Sequence, residues 1–447
     1  MTKDFRSSET LFDLYARIYR EPYHAFLHSS MPTRTEGRYS YMGCRPAKVF
    51  SCRKDAITVF EGGTSRSLDG NPFEALQSLM RKTSSEHTFF QRGAIGYWGY
   101  DLKDHLEDLP SKAVPDLRWF DGLWMLFDAV LVMDHFENRL FFAGDEHAIQ
   151  SLEKIVEKPV RPERTTAFDF EIRPQLSKSS YLEKARRIKE HISQGDVYEV
   201  NLTQRFDISL SEHPWNGYQL FKALCEVSPS PYSAYLSCGD YAVISSSPEQ
   251  FLQVIDNTVV SKPIKGTRPR STDFWKDETA YLDLTTSEKD RAENVMIVDL
   301  VRNDLSRVSK PGTVKADPVC RIESFETVFQ MVSTIRSVLD DSNTSMDAIR
   351  ACFPPGSMTG APKIAAMKIV EELEDTKRGI YSGALGYLEY DGSCNLSVII
   401  RTLILKGNSG YFQTGGAIVW DSDPELEYNE CWDKARGILK ALECLRA

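Results

Sequence analysis

The chain has 447 residues, with 54 Lys and Arg against 64 Asp and Glu, a formal net charge of −10. Apolar content of 41% and charged content of 26% are those of a globular protein able to build a large core, and the acid surplus argues against nucleic-acid binding, which draws on phosphate neutralisation. The longest uncharged run, 407–420, is too short and too polar to span a membrane, and MTKDFRSSET shows no basic-then-apolar leader, so a cytoplasmic location is expected.

In chain order, a helix is predicted over 8–19, a strand over 25–28 and another, alternating, over 123–132. Residues 157–180 hold three prolines and many charges with little periodicity. That stretch reads as a linker between regions 1–160 and 175–447. A helix capped by Ser177 or Ser179 follows, with Leu182, Ala185, Ile188 and Ile192 on one face and Gly195 as its stop. Strands are predicted over 197–206, 232–236, 241–245 and 258–261, then one long helix over 276–302. Further strands over 384–390, 396–405 and 410–419 precede a closing helix over 424–445. Strands in runs, long helices among them and no regular βαβ alternation predict an α+β fold. GAIGYWGYD at 93–101 and GALGYLEYD at 383–391 share six of nine residues and read as two glycine-notched strands in neighbouring sheets.

Nine scattered cysteines without a C-x-x-C pair suit reduced thiols. None of the eight histidines lies beyond residue 213. Chemistry housed in the second region therefore runs on Glu, Asp, Lys or Tyr, and neither a Ser-His-Asp triad nor an H-E-x-x-H zinc site can be built within it.

Four constellations offer such chemistry. Asp290 and Glu293 stand three apart on one predicted helix, and Glu427 and Glu430 repeat that spacing on the last; such pairs suit a hard cation such as Mg²⁺, or are solvated faces, with Glu430 equally able to pair with Lys434. SKPIKGTRPR places Lys262, Lys265, Arg268 and Arg270 in a turn after a strand, where a lysine lowered in pKa by desolvation could act as nucleophile or base; the alternatives are an exposed basic loop and an anion site. PPGSMTGAPK opens a helix without Walker spacing and is a turn or an anion cradle, and QTGGAIV has a glycine pair within a strand. Arg401, alone among apolar residues in SVIIRTLIL, needs either a carboxylate ligand or a structural Glu.

Taken in order, SSSPEQF, PIKGTRPR, DRAENVMIVDLVRNDLSRV, PPGSMTGAPK, GALGY, IIRTL, QTGGAIV and ELEYNECWDKA closely resemble the motifs of the chorismate-binding enzymes, the family of anthranilate, aminodeoxychorismate, isochorismate and salicylate synthases. Residues 1–157 resemble the amino-terminal region of the first two. The resemblance implies a fold like that of anthranilate synthase component I, two packed β-sheets surrounded by helices. Lys265 in PIKGT is similar to the aminodeoxychorismate branch, where anthranilate synthases carry alanine. It implies amination of chorismate at C4, with Lys265 attacking C2, ammonia displacing it, and Glu249 protonating the departing hydroxyl. It further implies Mg²⁺ on Glu293 and Glu430 with Asp290 and Glu427 as neighbours, and substrate contacts from Gly266, Thr267, Tyr387, Arg401, Gly415 and Gly416, with Thr359 and Lys363 as further candidates. Ser29, Arg38, Tyr39, Ser40, Tyr41, Pro231, Tyr232 and Ser233 resemble the family's tryptophan pocket. No G-x-C-x-G nucleophile turn is present, so ammonia is expected to be free or delivered by a separate glutamine amidotransferase subunit. Glu199, Gln330 and Gln250 depart from residues usual in the family. A silent chorismate- or tryptophan-binding subunit is the competing expectation, opposed by the intact Lys265, Glu249, Glu293 and Glu430.

Overall fold

The computed structural model describes residues 1–33, 36–80, 89–159, 167–210, 215–325 and 328–446. The architecture is α+β. Among the described residues a twelve-stranded and an eleven-stranded sheet lie against each other, with a three-stranded sheet beside them. Val130, Val132, Leu236, Val243 and Ile404 of the first sheet share one buried cluster with Ile95, Tyr97, Leu123, Met125 and Leu385 of the second. Helices cover the outer faces. Leu11–Ile18, Glu146–Val156, Gly217–Val227 and Pro424–Glu443 contribute to the core outside the first sheet, and Pro72–Leu79, Glu288–Ser306 and Ser345–Cys352 to that outside the second. No helix among the described residues is long and apolar enough to cross a membrane.

Neither of the two sequence regions keeps a sheet to itself. In the first sheet Tyr23–His28 pairs with Tyr232–Cys238, and in the second Gly93–Trp98 pairs with Ala384–Glu389. The two echoed motifs are thus direct antiparallel partners in one sheet, with Gly96 opposite Gly386, and not strands of neighbouring sheets.

Three predicted elements divide where the chain changes direction or sheet. The run 123–132 is two strands, Gly122–Phe127 in the second sheet and Ala129–Asp134 in the first, separated at Asp128. The run 396–405 divides likewise into Cys394–Val398 and Thr402–Lys406, with Arg401 at φ +49° in the crossing. Most residues of both runs are buried on either side of the break, so hydrophobic pattern does not mark the change of sheet. The helix 276–302 is two helices, Phe274–Thr286 and Glu288–Ser306, and the Ser287 side chain caps the second by accepting from the Asp290 N–H. The linker reading also changes. Phe170–Pro174 is a strand paired with Glu199–Leu210, and Lys178–Gln194 is a helix capped by Ser177 and stopped by Gly195 at φ +82°. Residues 160–166 of that stretch lie outside the described residues.

Candidate active site

Three crossings converge on one place. Pro248 and Glu249 carry the chain from Ala242–Ser247 of the first sheet to Gln250–Ile255 of the second, and the segment containing Arg401 makes the return. Two backbone bonds join these crossings: the Val398 N–H donates to the Glu249 carbonyl at 3.0 Å and the Ser246 N–H to the Arg401 carbonyl at 3.1 Å. Pro263 takes the chain from the second sheet into Ile264–Pro269 of the small sheet, where register shifts between Ile264 and Thr267. Gly266 has φ +81°, and a Cβ there would press on Leu284 and Asp290. This bend delivers the Lys265 side chain to Glu199, the first residue of Glu199–Leu210.

Lys265 Nζ donates to Glu199 Oε1 at 2.7 Å, with side chains 11% and 0% exposed. Burial alone would lower the Lys265 ammonium, but the carboxylates of Glu199, Glu293 and Glu249 outweigh it and its pKa is raised. The expected lowering by desolvation is therefore corrected: the lysine is desolvated among acids. Glu249 is pushed up to about 7 by burial, against the pull of Ser357 and Lys265, so it carries a proton much of the time near neutrality.

The acidic pairs are interleaved with lysines. Lys289 Nζ lies 2.9 Å from Glu427 and 3.8 Å from Glu293, which are on different helices. Glu430 pairs with Lys434 at 2.7 Å, and Lys434 also donates to the Gly415 carbonyl at 2.7 Å. Asp290 turns away to Arg268, 2.9 Å distant. Among the described residues no three His, Cys, Asp or Glu side chains are assembled around a metal position; the Lys289 ammonium fills the space between Glu293 and Glu427. The donor chemistry nevertheless suits a hard divalent cation. Glu293 Oε1 is buried without a hydrogen-bond partner, burial pushes this carboxyl up to about 7, and the neighbouring donors are carboxylate oxygens.

A cavity of about 170 Å³ adjoins this cluster, lined by Arg401, Gln330, Lys434 and Pro248. Gln330 stands opposite Thr267 in the small sheet, so the cavity and the Lys265 bend share a strand pair. No ion pair reaches the Arg401 guanidinium among the described residues; its only resolved influence is burial, which lowers its pKa. Among the described residues no Glu serves as its structural partner, and a buried guanidinium calls for an anionic one. Gly415 and Gly416 lie opposite Thr203 and Leu202, and a Cβ at 416 would stand 3.0 Å from Glu427 Oε2.

Other candidates fall elsewhere. Thr267 is exposed. Lys363 spends its ammonium on Asp304 at 2.6 Å and on the Cys352 and Pro354 carbonyls, and Thr359 bonds the Gly356 carbonyl. Tyr387 does not join the Lys265 cluster. It lies on Ala384–Glu389, edge-on to Tyr41 at 5.5 Å, and lines a second cavity. That cavity, about 340 Å³, is lined by Ser29, Arg38, Tyr39, Tyr41, Pro231, Tyr232 and Ser233, with Ser40 behind it accepting from the Ser29 N–H at 3.0 Å. Arg38 there forms a forked bond to Asp134. Sequence reasoning missed Glu36, Gln250 and Asn395 in this wall and the bridging role of Lys289, whose only signal was its i, i+4 spacing to Glu293.

The sequence matches a family model described as chorismate binding enzyme over residues 23–440. It is 34% identical to anthranilate synthase component 1 of Acetivibrio thermocellus, covering 98% of this chain and 94% of that protein. It is also 34% identical to aminodeoxychorismate synthase component 1 of Bacillus subtilis (strain 168), covering 93% and 92%. The crystal structure of anthranilate synthase component I from Streptococcus pneumoniae TIGR4 superposes with a TM-score of 0.80 at 29% identity, covering 90% of this chain and 92% of that chain.

Proposed function

The chain belongs to the chorismate-binding enzymes, and from that premise we propose that it aminates chorismate at C4, giving 4-amino-4-deoxychorismate on the way to para-aminobenzoate and folate. The observation that carries the reading is Lys265 in PIKGT, a position that is alanine in anthranilate synthases, held at a buried bend beside Glu249 and Glu199. Arg401, with no ion pair among the described residues, offers its guanidinium to a substrate carboxylate. Glu249, its pKa pushed up to about 7 by burial, protonates the departing C4 hydroxyl. The Lys265 amine attacks C2 as that hydroxyl leaves, and ammonia then adds at C4 and expels the lysine, so one hard substitution becomes two allylic ones. Mg²⁺, held by Glu293 and Glu430 with Glu427 as neighbour and Asp290 one helical turn back, engaged by Arg268, would supply positive charge to the ring carboxylate. Ammonia comes free or from a glutamine amidotransferase subunit, as the component 1 designation of the relatives suggests. The cavity around Tyr41 and Tyr232 has the aromatic walls and the polar rim to take tryptophan. The site is expected to work in the cytoplasm.

Relatives with either activity are about equally similar, so anthranilate formation is the rival reading, and Lys265 disfavours it. Incubation of the purified protein with chorismate, Mg²⁺ and ammonium should give a product that an aminodeoxychorismate lyase converts to para-aminobenzoate. Anthranilate as the main product would overturn the assignment. Lys265→Ala should abolish normal turnover while leaving the fold intact; parental activity in that variant would rule out the covalent route.

A further inference from the structure

The reading above leaves one acid of the site without a role. Glu199 is completely buried, its Oε1 accepts from Lys265 Nζ at 2.7 Å, and its Oε2 has no hydrogen-bond partner. A lysine held as ammonium has no lone pair with which to attack carbon, so the adduct route requires a proton acceptor for Nζ. Four carboxyls bear on this ammonium: Glu199, Glu293, Glu249 and Glu430. Among the described residues only Glu199 forms a hydrogen bond or ion pair with it. Glu249 is engaged as the proton donor, while Glu293 and Glu430 are paired with Lys289 and Lys434. One ammonium is the sole hydrogen-bond partner of the Glu199 carboxylate among the described residues.

We propose that Glu199 is the proton acceptor that converts Lys265 from an ammonium into a nucleophile and stores that proton until the amine is released. The inference rests on the aminating reading with its lysine adduct. The proton passes from Nζ to the Glu199 carboxylate along their 2.7 Å contact, leaving a neutral pair. The Nζ lone pair forms the bond to C2, the C4–O bond breaks, and the Glu249 proton leaves with the hydroxyl as water. Ammonia then bonds to C4, the C2–N bond breaks, and its electron pair returns to Nζ. The surplus proton on the new C4 ammonium restores Glu249, and Glu199 returns its proton to Lys265. Chorismate and ammonia have become aminodeoxychorismate and water, with both acids as they began. Glu199 acts through Lys265 and so positions the proton without touching the reacting carbons.

Glu199→Gln keeps the shape and the hydrogen bond but cannot accept a proton. Its turnover should fall by about 10²- to 10⁴-fold, and its rate should climb with pH where the parent is level, because solvent must then take the lysine proton. Glu199→Asp should recover part of the rate. A second measurement needs no substrate: the pH dependence of Lys265 acetylation by acetic anhydride, followed by peptide mass spectrometry. Loss of the paired carboxylate should bring Lys265 into its reactive form at a pH lower by about one unit or more. Parental turnover and pH profile in Glu199→Gln, or an unchanged acetylation profile, would overturn the proposal. Should the parent make anthranilate, the functional reading falls, while the acetylation profile still decides whether Glu199 governs the lysine proton.

Discussion

At Arg401 the proposed substrate contact can be weighed against stability. Its guanidinium is desolvated with no ion pair among the described residues, in a left-handed backbone conformation at a sheet crossing. A substrate carboxylate would supply the missing charge. Arg401→Gln should therefore raise the KM for chorismate by about 10- to 100-fold, the worth of a charged hydrogen bond, while thermal stability is unchanged or improved because an unpaired charge has been removed. Loss of stability with unchanged KM would place the arginine in a structural role. His24 tests a different property. Its Nδ1 donates to the Glu21 carbonyl at 2.6 Å, Nε2 is buried without a partner, and the ring stacks on Tyr235. Burial lowers its pKa to about 4. Between about pH 6.5 and 4 the unfolded chain binds a proton that the folded chain refuses, so this residue makes stability fall on acidification, by up to about 1.4 kcal/mol per pH unit. The buried carboxyls Glu249 and Glu293 slope the other way, so the difference between variant and parent is the quantity to measure. Urea unfolding of His24→Gln across that range should show the slope changed by this amount; parallel curves would refute it.

At the scale of elements, the glycine-notched pair Gly93–Trp98 and Ala384–Glu389 is held by close approach of neighbouring strands. A Cβ at Gly96 would run into the Leu123 carbonyl, and one at Gly386 into the Asn395 carbonyl. Gly96→Ala should lower unfolding free energy by about 1–3 kcal/mol, the usual range for overpacking, as read from denaturant midpoints; a neutral substitution would mean that the sheet yields there. The echo between these strands was legible in the sequence, and with it a pairing, but their shared sheet and register were not, because about 290 residues separate them and similarity carries no register. Helix ends were more legible. Ser177 and Gly195 declared the helix Lys178–Gln194 through local capping chemistry. Ser287 was overlooked because the residues on either side of it continue a helical composition, and only the capped break turns Glu288–Ser306 so that Glu293 faces Lys289 and Glu427.

At the scale of the molecule, the amino-terminal region is built into the same sheets as the catalytic one, and buried charge reinforces the join. Lys103, 0% exposed, lies 2.9 Å from Glu371, and Lys377 reaches the same carboxylate at 2.8 Å. Lys103→Met would leave that acid with half its compensation. Breaking one partner of a buried pair costs about 3–5 kcal/mol, and the loss should be seen as one cooperative shift of the whole unfolding transition; early melting of the first region alone would show that the two regions are energetically separate.

By itself the sequence determined the α+β class, the family and the order of motifs, because hydrophobic period, capping residues and short motifs are local properties written along the chain. It also pointed to Lys265, Glu293, Glu430 and Arg401 as residues whose charge needs a reason, and the resemblance added Glu249. Only the tertiary structure decided which of them share a site. Lys265 came to lie against Glu199, Lys289 between Glu293 and Glu427, and Tyr387 in a different cavity from the one expected. The physical reason is that these placements depend on where the chain leaves one sheet for another. Those crossings are set by long-range pairing across both regions, and the ionisation of each group follows from the neighbours that pairing brings to it.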